Sequence, residues 1–425
     1  MVRYNGVVHM TPETAVFLTG EEGRALLARA ARLPAGVSER IIALRNRGVG
    51  LEIASGVVDV LGARRRARGR FPDADRLFFT GDALAQATSP QIAAYHGAQL
   101  ARFGRVADLG CGVGIDALAL ARAGLEVTAI DRDGARLVFA RANAEIAGVA
   151  DRIRFVQGDL TTLDWEADAV FWDPSRRSDD GRRVSRHGDR YEPPLSFLEA
   201  LRSRVPAGVL KLSPALPDDE LAALGGSVRF LSEGRECREA CVAFGDARAP
   251  GAPVAALLLP EGTEFSPNED EGRAPSGPAG AYLFDPDPAI IRAGALGSLC
   301  RALNAHLLSG ADEYLTGSAL PAPDLRRAVS VYRIRQTAPY RPREIGALLR
   351  TEGIGRIIVK KRHFPREPDA VARELGLKGG GAEATLVLAR ESDSGHLAVW
   401  CDPVADTAPA DAAPAKDQQT NHADL

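Results

Sequence analysis

The chain has 425 residues, of which 45% are hydrophobic and 26% are charged, and its formal net charge is −3. This length exceeds one ordinary hydrophobic core and predicts two or three domains, and the composition excludes a wholly disordered chain. The sequence contains no apolar run long enough to cross a bilayer, and residues 1–13 hold no apolar stretch of signal-peptide length. We therefore expect a cytoplasmic protein that does not associate with membranes.

The five cysteines are scattered at positions 111, 237, 241, 300 and 401. This spacing does not form a disulfide framework, and an odd number leaves at least one thiol free. Cys237 and Cys241 suggest half of a metal site, but no second Cys or His pair lies at ligand spacing. We therefore expect no bound metal.

Positive charge is concentrated in two parts of the sequence. Five arginines cluster between positions 64 and 70, and between 326 and 378 fourteen Lys and Arg stand against five acids, a local excess of nine. Such an excess is expected of a surface that neutralises phosphates. A solvated basic face gives the same pattern, so charge alone does not separate the two.

The pattern of the first 100 residues predicts a helical region, because apolar residues recur three and four apart in ALLARAARL, ERIIALRNRG and SPQIAAYHGAQLARFG.

From residue 105, short apolar runs alternate with amphipathic helices. The predicted strands are RVADLG, EVTAID, RIRFVQGD, DAVFWD and AGVLKLSP, with ACVAFGD and VAALLLP at the edge. This alternation predicts an α/β domain over 101–260, with a parallel sheet and helices on both faces.

Residues 261–280 are rich in Gly, Pro, Ser and acids, which is typical of a linker. An α+β domain is predicted over 281–401. Its predicted strands are AYLFD, VSVYRIRQ, RIIVKKR, EATLVLAR and HLAVWC, and its predicted helices span 288–308, 342–351 and 367–375. The tail from 402 to 425 has too few large apolar groups to offset its ordering entropy, so we expect it to be disordered.

The stretch VADLGCGVGIDALALA carries the strongest signal for a ligand site. A strand ends in Asp108, and Gly110, Gly112 and Gly114 let the backbone turn tightly before a helix begins. The next strand ends in Asp131, as a site that holds both hydroxyls of a ribose requires. Asp116 lies in the first turn of the helix and suits the helix dipole there.

Two classes of cofactor-binding protein share this order of elements, in which a strand, a loop, a helix and a second strand are followed by an acidic residue. Dinucleotide sites usually follow G-x-G-x-x-G and place a pyrophosphate on the helix N-terminus. Here an acid precedes the first glycine by two residues, where it would repel a pyrophosphate but accept from the ammonium of an amino-acid cofactor. The sequence resembles the class I S-adenosylmethionine-dependent methyltransferases, whose first motif is this acid and glycine loop. Nicotinamide dehydrogenases are the alternative.

The resemblance extends over residues 100–245 and implies a Rossmann-like sheet with S-adenosyl-L-methionine as the cofactor. It places the acid of the QGD motif against the adenine amine. The residues assigned to the cofactor are Asp108, Gly110, Cys111, Gly112, Gly114, Asp131, Asp159 and Leu160.

The fourth predicted strand ends in VFWDPSRR, which resembles the motif of nucleic-acid amino-methyltransferases, Asp or Asn, two prolines and an aromatic residue. In that resemblance Asp173 and the Pro174 carbonyl accept from an exocyclic amine and aim its nitrogen at the methyl group, so both are assigned to catalysis. Positioning and electrostatics supply most of the rate of such a transfer. Since Arg176 replaces the aromatic residue, the stacking partner is an Arg plane, Trp172 or Tyr191, or the acceptor is not a base amine.

The following polar segment, SRRSDDGRRVSRHGDRYEPP, holds six arginines. It predicts a lid or clamp that pairs with phosphate through forked guanidinium donors. Ser175, Arg176, Arg177 and Tyr191 are assigned to substrate binding. Lys211, near the end of the fifth predicted strand, is assigned to substrate as well, with a place on the rim as the alternative.

The whole arrangement resembles a bacterial family of class I methyltransferases with a THUMP-like domain at the C-terminus. The resemblance of the last domain rests on VYRIRQ, RIIVKKR and ATLVLAR. Because THUMP domains are RNA-binding modules of tRNA-modifying enzymes, it implies tRNA or rRNA as the partner and a base nitrogen as the acceptor. The basic residues assigned to RNA are Arg333, Arg335, Lys360, Lys361 and Arg362. The alternatives are a DNA or small-molecule methyltransferase and a non-catalytic RNA-binding protein that kept the fold.

Overall fold

The computed structural model describes residues 10–33, 36–176, 191–267, 274–309, 311, 313–362, 364–377, 379–390 and 395–405. The chain forms two compact units. The first runs to Glu233 and includes Arg238–Val254, and the second comprises Gly234–Cys237 and the residues from Ala255 onward. Arg177, with most of the predicted arginine-rich loop, and the tail beyond 405 lie outside the described residues. Within the described ranges, no helix is both long and apolar enough to cross a membrane.

The first unit opens with six helices. They are α1 (Pro12–Thr19), α2 (Glu21–Ala30), α3 (Val37–Arg45), α4 (Leu51–Ala67), α5 (Gly81–Gln86) and α6 (Pro90–Leu100). Hydroxyl side chains start three of them, because the oxygens of Thr11, Thr80 and Ser89 accept from backbone N–H groups in the first turn. The helical pattern predicted for the first 100 residues is therefore present.

The sheet of the first unit follows. Its elements are β1 (Arg105–Leu109), α7 (Ile115–Arg122), β2 (Glu126–Asp131), α8 (Gly134–Ala147), β3 (Ile153–Gln157), β4 (Ala169–Trp172), β5 (Ser175–Arg176), β6 (Tyr191–Glu192), α9 (Phe197–Arg204), β7 (Ala207–Leu212), α10 (Asp218–Ala223), β8 (Ser227–Glu233) and β9 (Glu236–Gly245). The strand order is β8-β9-β7-β4-β1-β2-β3. The pairs β7-β4, β4-β1, β1-β2 and β2-β3 are parallel, whereas β9 runs antiparallel to β7.

This strand order fixes where a ligand can bind. The chain passes from β1 to β2 and β3 on one side and then crosses to β4 and β7 on the other. Ligands of open α/β sheets bind outside the carboxyl ends of the strands at such a switch point. The segments after β1, β2 and β4 therefore meet at one edge of the sheet, which confirms the predicted Rossmann-like architecture.

Strand β8 was not predicted, and its sequence explains why. Arg229 interrupts the apolar run and yet is only 2% exposed. Its guanidinium donates to the carbonyl oxygens of Ala252 (2.9 Å) and Pro250 (2.9 Å), which satisfies the buried charge. A strand that carries a satisfied arginine gives no clear hydrophobic pattern.

From Val254 the chain forms a second set of elements. They are β10 (Val254–Leu259), β11 (Thr263–Phe265), β12 (Ser276–Gly277), β13 (Tyr282–Pro286), α11 (Pro288–Arg292), α12 (Leu296–Leu303), β14 (His306–Leu308), β15 (Leu315–Gly317), β16 (Val329–Pro339), α13 (Pro342–Thr351), β17 (Ile354–Arg362), α14 (Pro368–Glu374), β18 (Ala382–Arg390) and β19 (His396–Pro403). Eight of these strands form a sheet in the order β12-β14-β15-β13-β16-β19-β18-β17. The second unit is thus the expected α+β domain.

One helix prediction in the second unit was wrong. The single helix expected over 288–308 is two helices followed by strand β14. Gly294 separates the helices with a φ of +69°, a conformation that ends an α-helix.

The other helices of the second unit pack on its sheet. Ile345 and Leu349 of α13 and Val371 of α14 pack in one core with Leu386 and Leu388 of β18.

Candidate active site

The loop after β1 turns on three glycines in left-handed backbone conformations. Gly110 has a φ of +85°, Gly112 a φ of +55° and Gly114 a φ of +87°, where other residues are strained. A Cβ at Gly110 would lie 3.1 Å from the carbonyl oxygen of Asp173. Glycine at this position therefore lets the loop pass close to the end of β4.

Asp131, the last residue of β2, braces this loop. Its Oδ2 accepts from the backbone N–H of Gly112 (2.8 Å), and its Oδ1 accepts from the N–H of Asp133 (2.9 Å). Each carboxylate oxygen can accept more than one hydrogen bond, so Asp131 can also receive ribose hydroxyls. Cys111 lies between Gly110 and Gly112, and burial raises the pKa of its thiol well above the usual value, which keeps the side chain neutral.

Asp108 is the most unusual carboxylate of the site. It is 1% exposed, and neither of its oxygens has a hydrogen-bond partner among the described residues. Burial, with Asp116, Asp173 and Asp131 nearby, raises the pKa of Asp108 well above its usual range. Because an unpartnered buried carboxylate is costly, the position calls for a ligand that donates hydrogen bonds or carries positive charge.

A cleft of about 1050 Å³ opens beside the glycine loop. Asp108, Asp131 and Asp173 all line it, so the ends of β1, β2 and β4 face one cavity. The other predicted site residues that line it are Gly110, Cys111, Gly112, Asp159, Leu160, Pro174, Ser175, Tyr191 and Lys211. Gly114 lies outside the lining, where it forms the turn into α7.

Asp159 follows β3 at the same edge of the sheet. Its Oδ1 accepts from the backbone N–H of Thr161 (2.9 Å) and from the Thr161 hydroxyl (2.6 Å). These hydrogen bonds lower the pKa of Asp159, so its carboxylate is ionised at neutral pH. A fixed, charged acceptor suits the role predicted for it beside an amine.

The structure removes one of the three predicted stacking partners. Trp172 is fully buried, and its indole packs edge-on against the ring of Phe197 at 5.6 Å between centroids. It is therefore not placed to stack on a base in the cleft. Tyr191 does line the cleft, and its hydroxyl accepts from the backbone N–H of Ser213 (2.8 Å).

The residues after Pro174 begin a short antiparallel ladder. Ser175 pairs with Glu192 and Arg176 pairs with Tyr191 through the backbone of β5 and β6. The predicted arginine-rich segment connects these two strands. Both of its ends therefore lie at the cleft.

Lys211 is closer to the predicted catalytic acid than the sequence suggested. Its Nζ lies 2.7 Å from Asp173 Oδ2 and 2.9 Å from Thr88 Oγ1. Burial opposes its charge, but the charges of Asp173, Asp116 and Glu239 together more than offset this and raise the pKa of Lys211. Burial likewise raises the pKa of Asp173, which Lys211 opposes. Lys211 is thus a charged partner of Asp173 and not only a rim residue.

Behind Lys211 lies a buried polar network that the sequence did not reveal. Thr88 donates to Asp116 Oδ2 (2.5 Å), and Asp116 Oδ1 lies 2.8 Å from His96 Nδ1. The other ring nitrogen, Nε2, lies 2.7 Å from Glu239 Oε1. Both nitrogens of this fully buried ring therefore face carboxyl groups, an arrangement that favours an imidazolium, which can donate from both nitrogens.

The charge state of this ring follows from its neighbours. Burial lowers the pKa of His96, but the Glu239 charge and the hydrogen bond to Asp116 outweigh it and raise the pKa well above its usual value. Cys241 lies close by, and a ligand atom from each of His96, Glu239 and Cys241 falls within 4.8 Å of the others. Since both imidazole nitrogens are already engaged, the cluster is an ion network in this structure.

The five basic residues predicted to contact RNA in the second unit all have partners. Arg333 donates to the hydroxyl of Tyr282, Arg335 to Asp402, Lys360 and Arg362 to Asp285, and Lys361 to Glu367. The ion pairs of Arg335 with Asp402 and of Lys361 with Glu367 are largely exposed and contribute only about 0–1 kcal/mol each, so a phosphate can compete for these two donors. Lys360 and Arg362 instead pair with Asp285, which is 9% exposed, so their charges are already compensated within the fold.

Two family models match the chain. One described as a methyltransferase domain matches residues 106–173, and one described as THUMP domain-like matches residues 329–403. The first covers the glycine loop, Asp131 and the end of β4, and the second covers the run from β16 to β19. The fold, the glycine loop and the regions matched by the two family models together define a class I methyltransferase with a C-terminal THUMP-like domain.

The chain belongs to the S-adenosylmethionine-dependent methyltransferases. It is 30% identical over 335 residues to an uncharacterized S-adenosylmethionine-dependent methyltransferase of Mycobacterium tuberculosis (strain ATCC 25618 / H37Rv), covering 76% of this chain and 89% of that protein. It is 49% identical over 67 residues to the ribosomal protein L11 methyltransferase of Desulfitobacterium hafniense, covering 16% of this chain and 22% of that one. The crystal structure of a proposed methyltransferase from Porphyromonas gingivalis W83 shares the fold, with a TM-score of 0.71, 20% identity and coverage of 94% and 100% of the two chains.

The residues of the cleft fit the cofactor of this family. S-adenosyl-L-methionine carries an ammonium group and a positively charged sulfur. The unpartnered carboxylate of Asp108 and the bracing carboxylate of Asp131 supply negative charge and acceptors in the same cleft. A side chain at Gly112 would project into open space beside the loop, where a Cβ meets no atom within 4 Å. The donor set and the open backbone both suit a cationic nucleoside ligand.

Proposed function

We propose that this protein methylates a base nitrogen in structured RNA, either tRNA or rRNA. The observation that carries the proposal is the position of Asp173, which follows β4 and lines the same cleft as Asp108 and Asp131. The residues that hold the cofactor in this proposal are Asp108, Gly110, Cys111, Gly112, Gly114, Asp131, Asp159 and Leu160. Asp173 and Pro174 act on the acceptor amine.

S-adenosyl-L-methionine, when bound, supplies a methyl group activated by a positively charged sulfur. An exocyclic amine is a poor nucleophile because its lone pair is delocalised into the base ring. An acceptor at its N–H favours a pyramidal nitrogen, and Asp173 offers the carboxylate oxygen that does not pair with Lys211. The methylated nitrogen must then lose a proton, which the same oxygen can take, since burial raises the pKa of Asp173.

RNA as the substrate is supported by the second unit. The THUMP-like match at residues 329–403 resembles RNA-binding modules of tRNA-modifying enzymes. The excess of nine positive charges between 326 and 378 falls largely in the same region. In this proposal the boundaries drawn from the sequence separate a helical region, a methyltransferase domain ending near 260 and an RNA-binding domain over 281–401.

The test is transfer of a labelled methyl group to RNA from cells that lack the gene. The wild-type chain should label this RNA, whereas Asp173→Ala should lose at least about a hundredfold in rate, as expected for removal of one precisely aimed polar group. Asp173→Asn keeps an acceptor oxygen and should retain more activity than Asp173→Ala. Both variants should bind S-adenosylhomocysteine within about threefold of the wild-type affinity, since Asp173 is not assigned to the cofactor.

Two results would contradict the proposal. Wild-type turnover by Asp173→Ala would remove the catalytic assignment. If duplex DNA is labelled in place of RNA, and its binding weakens steeply at higher salt, the substrate is DNA and not RNA. Labelling of neither nucleic acid would favour a small-molecule acceptor.

A further inference from the structure

Lys211 presents a hydrogen-bond donor to the acceptor end of the cleft. Its ammonium group has three protons, and two of them are used by Asp173 and Thr88. The third N–H has no hydrogen-bond partner within the part of the chain that the structure describes, and Lys211 lines the cleft together with Asp173. A donor and an acceptor therefore lie side by side at the place where the substrate amine must bind.

The hydrogen bonds behind Lys211 fix the direction of this donor. Thr88 gives its only hydroxyl proton to Asp116, so its oxygen has to accept from Lys211. Asp116 is in turn held by His96, which is anchored on its other side by Glu239. Because the ring and both carboxylates are buried, this chain of contacts holds the ammonium in one orientation.

An adjacent acceptor and donor select a particular edge of a base. Asp173 can accept from an amino group, and Lys211 can donate to an unprotonated ring nitrogen beside it. Adenine, cytosine and the N2–N3 side of guanine each present an amino group next to such a ring nitrogen. Hypoxanthine and uracil present a carbonyl oxygen next to a ring N–H, which reverses both hydrogen bonds.

We propose that Lys211 is a specificity-determining residue that donates to the ring nitrogen beside the acceptor amine, so that the site takes base edges on which an amino group adjoins an unprotonated ring nitrogen. Thr88, Asp116, His96 and Glu239 are positioning residues that act through Lys211. This inference rests on the proposed function, because it assumes that a base amine is the acceptor. It adds which base edges are accepted and which residue discriminates between them.

The test compares three pairs of nucleosides that differ only at such an edge. Adenosine is compared with inosine, cytidine with uridine, and guanosine with inosine, each titrated into the full-length chain saturated with S-adenosylhomocysteine. The amino-bearing member of at least one pair should bind about tenfold to a hundredfold more tightly than its partner, the range expected for a two-bond base contact. In the Lys211→Met variant, the affinities for the two nucleosides of that pair should lie within about threefold of each other.

A second variant protects the test against a folding defect. Thr88→Val keeps the charge of Lys211 but removes the oxygen that orients it, so it should reduce the preference within the pair while binding S-adenosylhomocysteine normally. Lys211→Met must likewise bind S-adenosylhomocysteine for its result to count, and if it does not, Thr88→Val decides. A merely structural role for these residues would lower all nucleoside affinities together and leave the preference unchanged.

The outcomes separate this inference from the proposed function. If RNA is not labelled, the proposed function fails, but the preference within each pair is still measured. Three results would contradict the role of Lys211. They are the absence of a preference within every nucleoside pair, the failure of every nucleoside to bind to the protein saturated with S-adenosylhomocysteine, and a preference that survives in both variants. If the preference is lost in the variants, the inference holds whichever RNA is the substrate.

Discussion

Replacing Asp131 with alanine tests the cofactor half of the site. The carboxylate of Asp131 is 9% exposed and already accepts from Gly112 and Asp133. A ribose bound through both hydroxyls would add two hydrogen bonds to a charged acceptor, each of which contributes about 1.5 kcal/mol or more. Their loss costs about 3 kcal/mol, which corresponds to a roughly 150-fold weaker affinity.

The assay is titration of S-adenosylhomocysteine into the wild-type chain and the variant. Asp168→Ala is the matched control, because it removes the same charge from the first unit at a residue that does not line the cleft. Asp168 accepts from the backbone N–H and the guanidinium of Arg105, so its loss should lower thermal stability and leave affinity within about threefold. If folded Asp131→Ala binds as tightly as the wild type, the cofactor is not held by this acid.

Three further predictions concern the buried charges and the glycine loop. His96→Gln should lower the free energy of unfolding of the first unit by about 3–5 kcal/mol, seen as a lower melting temperature, because it leaves two buried carboxylates without their cation. Since burial raises the pKa of Asp108 well above its usual value and a cationic ligand needs the ionised form, affinity for S-adenosylhomocysteine should still rise with pH above the range in which an ordinary aspartate is already ionised. Asp108→Asn should flatten that rise, and an equally steep rise in this variant would contradict the role of Asp108. Gly114→Ala should cost about 1–2 kcal/mol of stability, because its φ is +87° and the new Cβ would lie 3.0 Å from the Cβ of Ala140. An unchanged melting temperature of His96→Gln or of Gly114→Ala would contradict the prediction made for that variant.

Local patterns in the sequence predicted the elements that surround the cofactor half of the site. The strand before Asp108, the glycine loop and the strand ending in Asp131 are contiguous or separated by one helix, and each has its own signature. Their convergence on one cleft follows from the rule that the carboxyl ends of neighbouring parallel strands meet at one edge. This part of the fold therefore needed no long-range information.

The acceptor half could not be predicted in the same way. His96 and Glu239 are 143 positions apart in the sequence, and they meet only because β9 lies beside β7 in the sheet. Asp116 suited the dipole of α7, and nothing local indicated that it pairs with His96. The ion pair between Lys211 and Asp173 likewise depends on the pairing of β4 with β7.

The predicted RNA-binding residues show a different limit of the sequence. The positive charges of β17 were counted correctly, but two of them, Lys360 and Arg362, pair with an acid from a distant part of the second unit. Asp285, which pairs with Lys360 and Arg362, belongs to β13. A net charge summed over a segment does not distinguish paired from available cations, whereas a structure does.

The most direct test of the account is mass spectrometry of digested RNA from three strains: the parent, one without the gene, and the latter carrying Asp173→Ala. We predict that one nucleoside methylated on a base nitrogen is present in the parent, absent without the gene and not restored by the variant, although the wild-type gene restores it. Identical modified nucleosides in the parent and the strain without the gene would contradict RNA methylation by this cleft. Full restoration by Asp173→Ala would contradict the role of its carboxylate.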